Sequence, residues 1–258
     1  MPFALDLDGV VWLGDEPIPG AAAAVGRLRS AGETVVFCTN MGMRPVAEVE
    51  AKLARHGIPA EGAVVTSAMA AAGLVEPGER VLVCAGPGVW DAVERRGAIA
   101  VREGPADAVV VGLHLDFDYE RLRSAATAVL RGARLLATND DATYPTADGP
   151  IPGGGAILAA VERATGLRAT VAGKPHPPMV ELVRARLGRY GVMVGDRPET
   201  DGHFATALGY RFALVLSGVT TSGDDVVPVP DVVAPDLAAA VDLLLEPPQR
   251  AAPQRYQA

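Results

Sequence analysis

Short apolar runs alternate with stretches of helical periodicity along nearly the whole chain. Runs of β character fall at 3–7, 34–38, 63–65, 81–84, 107–112, 134–137, 169–172, 191–195 and 211–216. Helical patterns fill the gaps near 20–31, 44–57, 118–132, 154–165, 178–188 and 235–246. From Asp118 onward, Leu122, Ala126, Val129 and Leu130 recur at i, i+4, i+7 and i+8, one stripe of a helix. From Pro178, Met179, Leu182, Val183 and Leu187 form a similar stripe. Such alternation predicts an α/β fold built from βα units around a mainly parallel sheet. The strands are apolar throughout, as in Val35-Val36-Phe37-Cys38 and Val109-Val110-Val111. A sheet covered by helices on both faces requires that.

Two composition breaks interrupt the rhythm, at Glu76-Pro77-Gly78-Glu79 and around Gly166–Thr170. The block between them, residues 76–169, has strands and helices of its own and a length near the lower end of independent domains. It is read as an insertion into a discontinuous core made of residues 1–75 and 170–246. The Pro-, Gln- and Ala-rich tail, residues 247–258, is expected to be frayed.

Four apolar runs end in polar groups that can serve one site. Phe3-Ala4-Leu5 leads into Asp6-Leu7-Asp8-Gly9, so two carboxylates leave an extended strand on one face before glycine turns the backbone away. Val35–Cys38 ends in Thr39-Asn40, and Thr170-Val171-Ala172 ends in Gly173-Lys174-Pro175. Val192-Met193-Val194 ends in Gly195-Asp196, with Asp201 following. Each fragment alone reads as an ordinary turn or cap. Together, on neighbouring strands, they would converge at the carboxyl edge of an open parallel sheet, where ligands bind.

Such a set is suited to phosphoryl transfer. Asp6 can be the anionic nucleophile, forming an aspartyl-phosphate that divides hydrolysis into two steps. Carboxylates facing a phosphate dianion would repel it, so a divalent cation is required. The octahedral oxygen preference of Mg2+ suits Asp6, Asp196 and the main-chain carbonyl of Asp8, with Asp201 orienting metal-bound water. Asp8 can protonate the leaving oxygen and then take a proton from water. Lys174 supplies a positive charge that holds phosphate and nucleophile together, while Thr39 and Asn40 bind phosphate oxygens.

Composition narrows the partners. The chain has 258 residues, of which 49% are hydrophobic, enough for a substantial core. Its formal net charge of −8 argues against gripping nucleic acid or anionic membrane, yet leaves room for a locally positive pocket. No run approaches the ~18 apolar residues of a membrane span. Asp6 and Asp8 lie where a signal peptide would be basic and then apolar. Cys38 and Cys84 sit in apolar runs and form no CxxC pair, which fits buried thiols in a reducing compartment. The expectation is a cytoplasmic enzyme acting on a small-molecule phosphomonoester.

Asp6-x-Asp8-Gly9-Val10, Thr39-Asn40, Gly173-Lys174-Pro175 and Gly195-Asp196-Arg197 with Thr200-Asp201 resemble the four motifs of the haloacid dehalogenase-like (HAD) superfamily. The insertion between the second and third motifs is similar to a C2 cap. Ala137–Pro145 followed by Ile151-Pro152-Gly153-Gly154-Gly155, and Ser217-Gly218-Val219-Thr220-Thr221, resemble the NagD-like, 4-nitrophenylphosphatase subgroup. The resemblance covers about residues 3–246. It implies a Rossmann-like three-layer core with an inserted α/β C2-type cap, Mg2+-dependent phosphatase activity on small phosphomonoesters, and a homodimer through the cap. Two rivals stand beside it: a phosphotransferase or mutase on the same core, and a non-catalytic phosphometabolite-binding protein. Asp8 beside Asp6 argues against the second rival.

Some positions depart from the subgroup. It usually continues Thr-Asn with another Asn and a Ser, whereas here Met41-Gly42-Met43 follows and Arg44 is retained. His114 stands in Val111-Gly112-Leu113-His114, where relatives often carry Asp. His114 and His176 are read as solvated surface residues. Gly149–Gly155 lacks the ending of a P-loop and is read as a helix-start turn, and Trp12 as packing in the flap.

Overall fold

Alternate residues of the central strands feed two different hydrophobic clusters, the period of an extended chain buried on both faces. Phe3, Leu5, Val35, Phe37, Val192 and Val194 pack on one side, and Ala4, Val36, Cys38 and Met193 on the other. The structure, a computed structural model, describes residues 1–146 and 149–246. The tail expected to fray, 247–258, lies outside the described residues.

The chain opens with β1 (Phe3–Leu5), a short hairpin β2–β3 (Trp12–Leu13 and Glu16–Pro17), α1 (Ala21–Ser30), β4 (Val35–Thr39), α2 (Val46–Arg55), β5 (Val64–Thr66) and α3 (Ser67–Ala72). A second series follows: β6 (Arg80–Cys84), α4 (Pro87–Arg95), β7 (Ile99–Val101), β8 (Ala108–Val111), α5 (Tyr119–Leu130) and β9 (Arg134–Ala137). It closes with the hairpin β10–β11 (Thr143–Thr146 and Gly149–Pro152), α6 (Gly154–Thr165) and β12 (Thr170–Val171). The chain then returns through α7 (Pro177–Leu187), β13 (Val192–Gly195), α8 (His203–Leu208), β14 (Arg211–Val215), β15 (Val232–Ala234) and α9 (Leu237–Leu245). Helix starts carry their expected caps: Asp118 accepts from the Arg121 N–H at 2.8 Å and Asp236 from that of Ala239 at 2.9 Å.

The first sheet has six parallel strands in the order β15-β14-β13-β1-β4-β5. β1 lies centrally, with Leu5 level with Phe37 on one side and Val194 on the other, so the residues after these three strands emerge side by side. The second sheet has five parallel strands in the order β12-β9-β8-β6-β7. Its Leu82, Cys84, Val109 and Val111 face α5 and α6. Its Val81, Val83, Ala108 and Val110 join the cluster that holds Ala4, Val36 and Met193, so one apolar cluster serves both sheets.

Two expectations need correction. Thr170-Val171 is no strand of the first sheet: Thr170 pairs with Leu136 and Val171 with Ala137, as β12 of the second. The cause is packing, because Ala169 and Val171 rest on the cluster under that sheet. Gly149–Pro152, read as part of a helix-start turn, is a strand paired antiparallel with Thr143–Thr146; only Gly153 caps the helix. Among the described residues no helix is long and apolar enough to cross a membrane. Cys38 and Cys84 are buried and unpaired, and burial pushes each thiol up to about 12.

Candidate active site

The chain leaves β1 with the Asp6 N–H bonded to the Val194 carbonyl at 2.9 Å, which fixes where the first carboxylate points. Gly9 then takes a φ of +83°, and a Cβ there would lie 2.4 Å from Asp196 Oδ2. Glycine is needed twice over, for the turn and for the close approach. Asp6, Asp196 and Asp201 are all buried, with ligand oxygens within 4.8 Å of one another. Lys174 is buried with them; its Nζ lies 2.8 Å from Asp6 Oδ1 and 2.7 Å from Asp201 Oδ1. Asp201 Oδ2 also accepts the Arg197 N–H at 3.1 Å. Asp196 Oδ2 accepts the Val219 N–H at 2.6 Å, while its Oδ1 is buried with no partner among the described residues.

Three buried carboxylates cluster beside one buried amine, and the proton affinities of Asp6 and Asp196 record the imbalance. Burial pushes Asp6 well above the usual carboxylate range; Lys174 opposes this, and Asp201 and Asp196 add to it. Burial, then Asp201, pushes Asp196 up to about 6. Burial also works against a charged Lys174, but Asp201 and Asp6 outweigh it and raise its pKa well above the ordinary value. The all-oxygen donor set, clustered and short of positive charge, with Asp196 Oδ1 left over, fits a hard divalent cation such as Mg2+.

Asp8 leaves the strand on the same side as Asp6 but meets different neighbours. Its Oδ1 accepts from Trp12 Nε1 at 3.1 Å and from the Tyr144 hydroxyl at 3.4 Å. Burial raises its pKa, and the Trp12 bond, then Lys52, partly offset that. Trp12 is buried flap packing, as expected, and also a hydrogen-bond donor to Asp8. Lys52 holds the same flap: Nζ sits 4.3 Å above the Trp12 ring and donates to the Gly14 carbonyl at 2.5 Å.

Thr39 is buried at the end of β4, where its Oγ1 accepts the Met41 N–H at 3.0 Å. The Asn40 side chain brackets the Lys174 main chain: Oδ1 accepts the Lys174 N–H at 2.7 Å and Nδ2 donates to its carbonyl at 3.0 Å. Nδ2 also reaches Asp141 at 3.0 Å. The amide expected on phosphate therefore engages protein groups, and since the Asn40 carbonyl accepts from Ser67 and Asn139, the Asn40 main-chain N–H is left for an anion. Gly42, where the subgroup carries Ser, packs on the start of α3, and a Cβ there would lie 2.8 Å from Ser67 Oγ.

His114 is not the surface residue expected. It is 4% exposed, with Nδ1 2.9 Å from the Gly112 carbonyl and its ring edge-on to Phe117 at 5.5 Å. Burial lowers the proton affinity of this imidazole, and the ring packs like an aromatic, which the local sequence does not reveal. His176 is partly exposed and meets Asp140 at 3.2 Å.

Asn139, Asp141, Tyr144 and Arg197 also line the cavity that holds Asp6, Asp8 and Lys174. Residue-by-residue reading assigned them no part. The signal lay in the Ala137–Pro145 stretch, noted above only as a likeness, and in Arg197 beside Asp196.

Residues 3–99 match the family described as haloacid dehalogenase-like hydrolase, and residues 171–240 one described as HAD-hydrolase-like. A D-glycerol 3-phosphate phosphatase of Mycobacterium tuberculosis is 40% identical over 86% of this chain and 64% of its own length. This chain thus spans under two thirds of that relative. The magnesium-bound crystal structure of glycerol phosphate phosphatase from that organism superposes with a TM-score of 0.84 at 37% identity, covering 93% of this chain and 75% of that one. A p-nitrophenyl phosphatase from Archaeoglobus fulgidus gives 0.88 at 29% identity, over 94% of this chain and 98% of that one. An acid sugar phosphatase of Staphylococcus saprophyticus is 35% identical over 85% of this chain and 87% of its own. Because that likeness runs through most of both chains, the chain belongs to the haloacid dehalogenase-like hydrolases.

Proposed function

We propose that this protein is a Mg2+-dependent phosphatase of small phosphomonoesters that works through an aspartyl-phosphate on Asp6. The observation that carries the reading is the buried cluster of Asp6, Asp196 and Asp201 around Lys174, with Asp8 held apart on its own donors. In the first step an Asp6 carboxylate oxygen bonds to phosphorus as the bond to the leaving oxygen breaks. Asp8 gives that oxygen its proton; Oδ1 is taken by Trp12 and Tyr144, so Oδ2 is the oxygen that carries it. In the second step water attacks phosphorus, Asp8 takes its proton, and the acyl-phosphate bond breaks to free Asp6 and inorganic phosphate.

Asp6, Asp196 and the Asp8 carbonyl would hold the metal, with Asp201 supporting them. When bound, Mg2+ supplies positive charge that screens the acids from the phosphate dianion. Lys174 keeps Asp6 and Asp201 together, and Thr39 with the Asn40 main-chain N–H meets the phosphate oxygens. Residues 1–75 and 172–246 act as the core and 76–171 as the cap, the expected boundary at 169–170 moving because β12 pairs with β9. The relatives named for glycerol 3-phosphate and sugar phosphates support small alcohol phosphates as the substrate class.

The test is phosphate release from p-nitrophenyl phosphate and a panel of intracellular phosphomonoesters. Activity is expected with Mg2+, to be lost on chelation and restored by adding the ion back. Activity that persists after exhaustive chelation would remove the metal from the reading. A phosphorylated second product in place of free phosphate would make the protein a phosphotransferase. Cytoplasmic residence and a homodimer through the cap belong to the same proposal; cell fractionation and sedimentation check them. The exposed Ile99 on the edge strand β7 supports the dimer.

A further inference from the structure

The flap that carries Trp12 is too small to hold itself in place. Its strands β2 and β3 pair only Trp12 with Pro17 and Leu13 with Glu16. A hairpin of that size does not persist alone in water. Main-chain bonds fix its base: the Gly9 N–H donates to the Trp12 carbonyl at 2.7 Å, and the Ile18 N–H to that of Val11 at 2.9 Å. Its tip, Gly14-Asp15, is anchored from another element.

That anchor is Lys52 of α2, 38 residues beyond Gly14. Lysine side chains mostly lie in water, yet this one is only 18% exposed. Nζ donates to the Gly14 carbonyl at 2.5 Å, lies 3.4 Å from the Asp15 carboxylate and stands 4.3 Å from the centre of the Trp12 ring. Among the described residues, its hydrogen bond, ion pair and ring contact all go to the hairpin. Asp15 is 98% exposed, so that ion pair contributes little. The carbonyl and the buried indole are the firmer holds.

Trp12 is thereby gripped twice, its face by the Lys52 charge and its N–H by Asp8 Oδ1 at 3.1 Å. The ring cannot turn without giving up one of them. With Oδ1 occupied, Oδ2 carries the proton, so whatever fixes the indole also sets where that oxygen lies.

Resting on the phosphatase reading, we infer that Lys52 is a positioning residue for proton transfer: it clamps the flap through Trp12 and so presents the Asp8 carboxyl to the leaving oxygen. Lys52 also lines a cavity beside Asp8, where a free amine would instead bind the ester itself. The two roles differ in which substrates suffer when the amine is removed.

The test reads kcat/KM, which reports events up to departure of the alcohol and so isolates the acid step. Glycerol 3-phosphate, whose leaving oxygen needs a proton, is compared with p-nitrophenyl phosphate, whose leaving group does not. Lys52→Met should slow the glycerol ester about tenfold, part of the roughly 10²–10⁴-fold owed to a general acid. The nitrophenyl ester should stay within about twofold, the scatter of an uncoupled change. Lys52→Arg keeps the charge and stacks on a ring, and should hold the glycerol ester within about threefold of wild type. In an Asp8→Asn background, Lys52→Met should change neither ester more than about twofold, because the group it acts through is gone. Should Lys52→Met unfold the flap, Trp12→Phe, which keeps the ring and loses the N–H, makes the same comparison and should also slow the glycerol ester alone.

Equal slowing of both esters by these variants, no slowing of either, or an undiminished loss on top of Asp8→Asn would overturn the inference. A wild type that hydrolyses neither ester would sink the phosphatase reading. Hydrolysis of both, with Lys52→Met slowing them alike, would sink this inference alone.

Discussion

The two parallel sheets share one construction and differ at their carboxyl edges. Each has apolar strands with helices packed against it, and each sends loops out from the ends of its central strands. At the first edge those loops carry Asp6, Asp8, Thr39 and Asp196. At the second they carry Ala85-Gly86, Gly112-Leu113-His114 and Thr138-Asn139, which are uncharged, while Asp141 follows Asn139 and buried Lys174 follows the edge strand β12. The second edge instead docks on the first: Asn139 Nδ2 donates to the Asn40 carbonyl at 2.8 Å, and Asp141 accepts from the Asn40 amide. The same architecture thus gathers the buried acids in one place and a mainly uncharged wall, with one lysine at its margin, in the other. Chemistry belongs to the edge residues, not to the sheet.

Substitutions at the two edges can break that contrast. Asp6→Asn keeps shape and burial but removes the carboxylate proposed as the nucleophile. Turnover should fall by roughly four orders of magnitude or more, as when other catalytic nucleophiles are removed, with circular dichroism unchanged. Retained turnover would refute the assignment. Lys174→Met leaves Asp6 and Asp201 buried without their shared cation. Removing one partner of a buried ion pair costs about 3–5 kcal/mol, to be read by urea unfolding of metal-free protein; an unchanged midpoint would show that the acids need no counter-charge.

Asp8→Asn should slow alkyl phosphates by about 10²–10⁴-fold, the usual span for a general acid. p-Nitrophenyl phosphate should suffer much less, since its leaving group needs no proton. Equal slowing across a leaving-group series would strip Asp8 of that part. The smallest effect is expected at the second edge. Asn139→Ala loses hydrogen bonds to the Asn40 carbonyl, the Thr138 hydroxyl and the Asp141 N–H, a change of about 1–3 kcal/mol in stability and modest in kcat/KM. Were it to cost as much as Asp6→Asn, the distinction between the edges would collapse.

Much of this was legible in the residues. Asp6, Thr39 and Asp196 each end an apolar run, and a run buried on both faces has one place to put a polar group, its end. The stripe of Leu122, Ala126 and Val129 likewise located α5, although Leu130, counted with it, is 65% exposed at the helix end. Where the period is missing, so was the element: α3, Ser-Ala-Met-Ala-Ala-Ala, is buried almost all round and shows no polar face. Lys174 was identified from its motif, yet it reaches the site by another route, because Val171 packs under the second sheet. The Asn40 bracket, the Tyr144 contact and the burial of His114 depend on how separate units meet. No local pattern encodes that.

That route has a consequence for engineering. The amine that balances Asp6 arrives on the few residues that cross back from β12 to α7, gripped on the way by Asn40. A foreign lid grafted between the same boundaries would therefore inherit the duty of setting down one lysine, and a shift of a single residue at the splice would leave the first strand's acid without its counter-ion. Swaps that preserve Ala172–Pro175 and its handhold are the ones to attempt first.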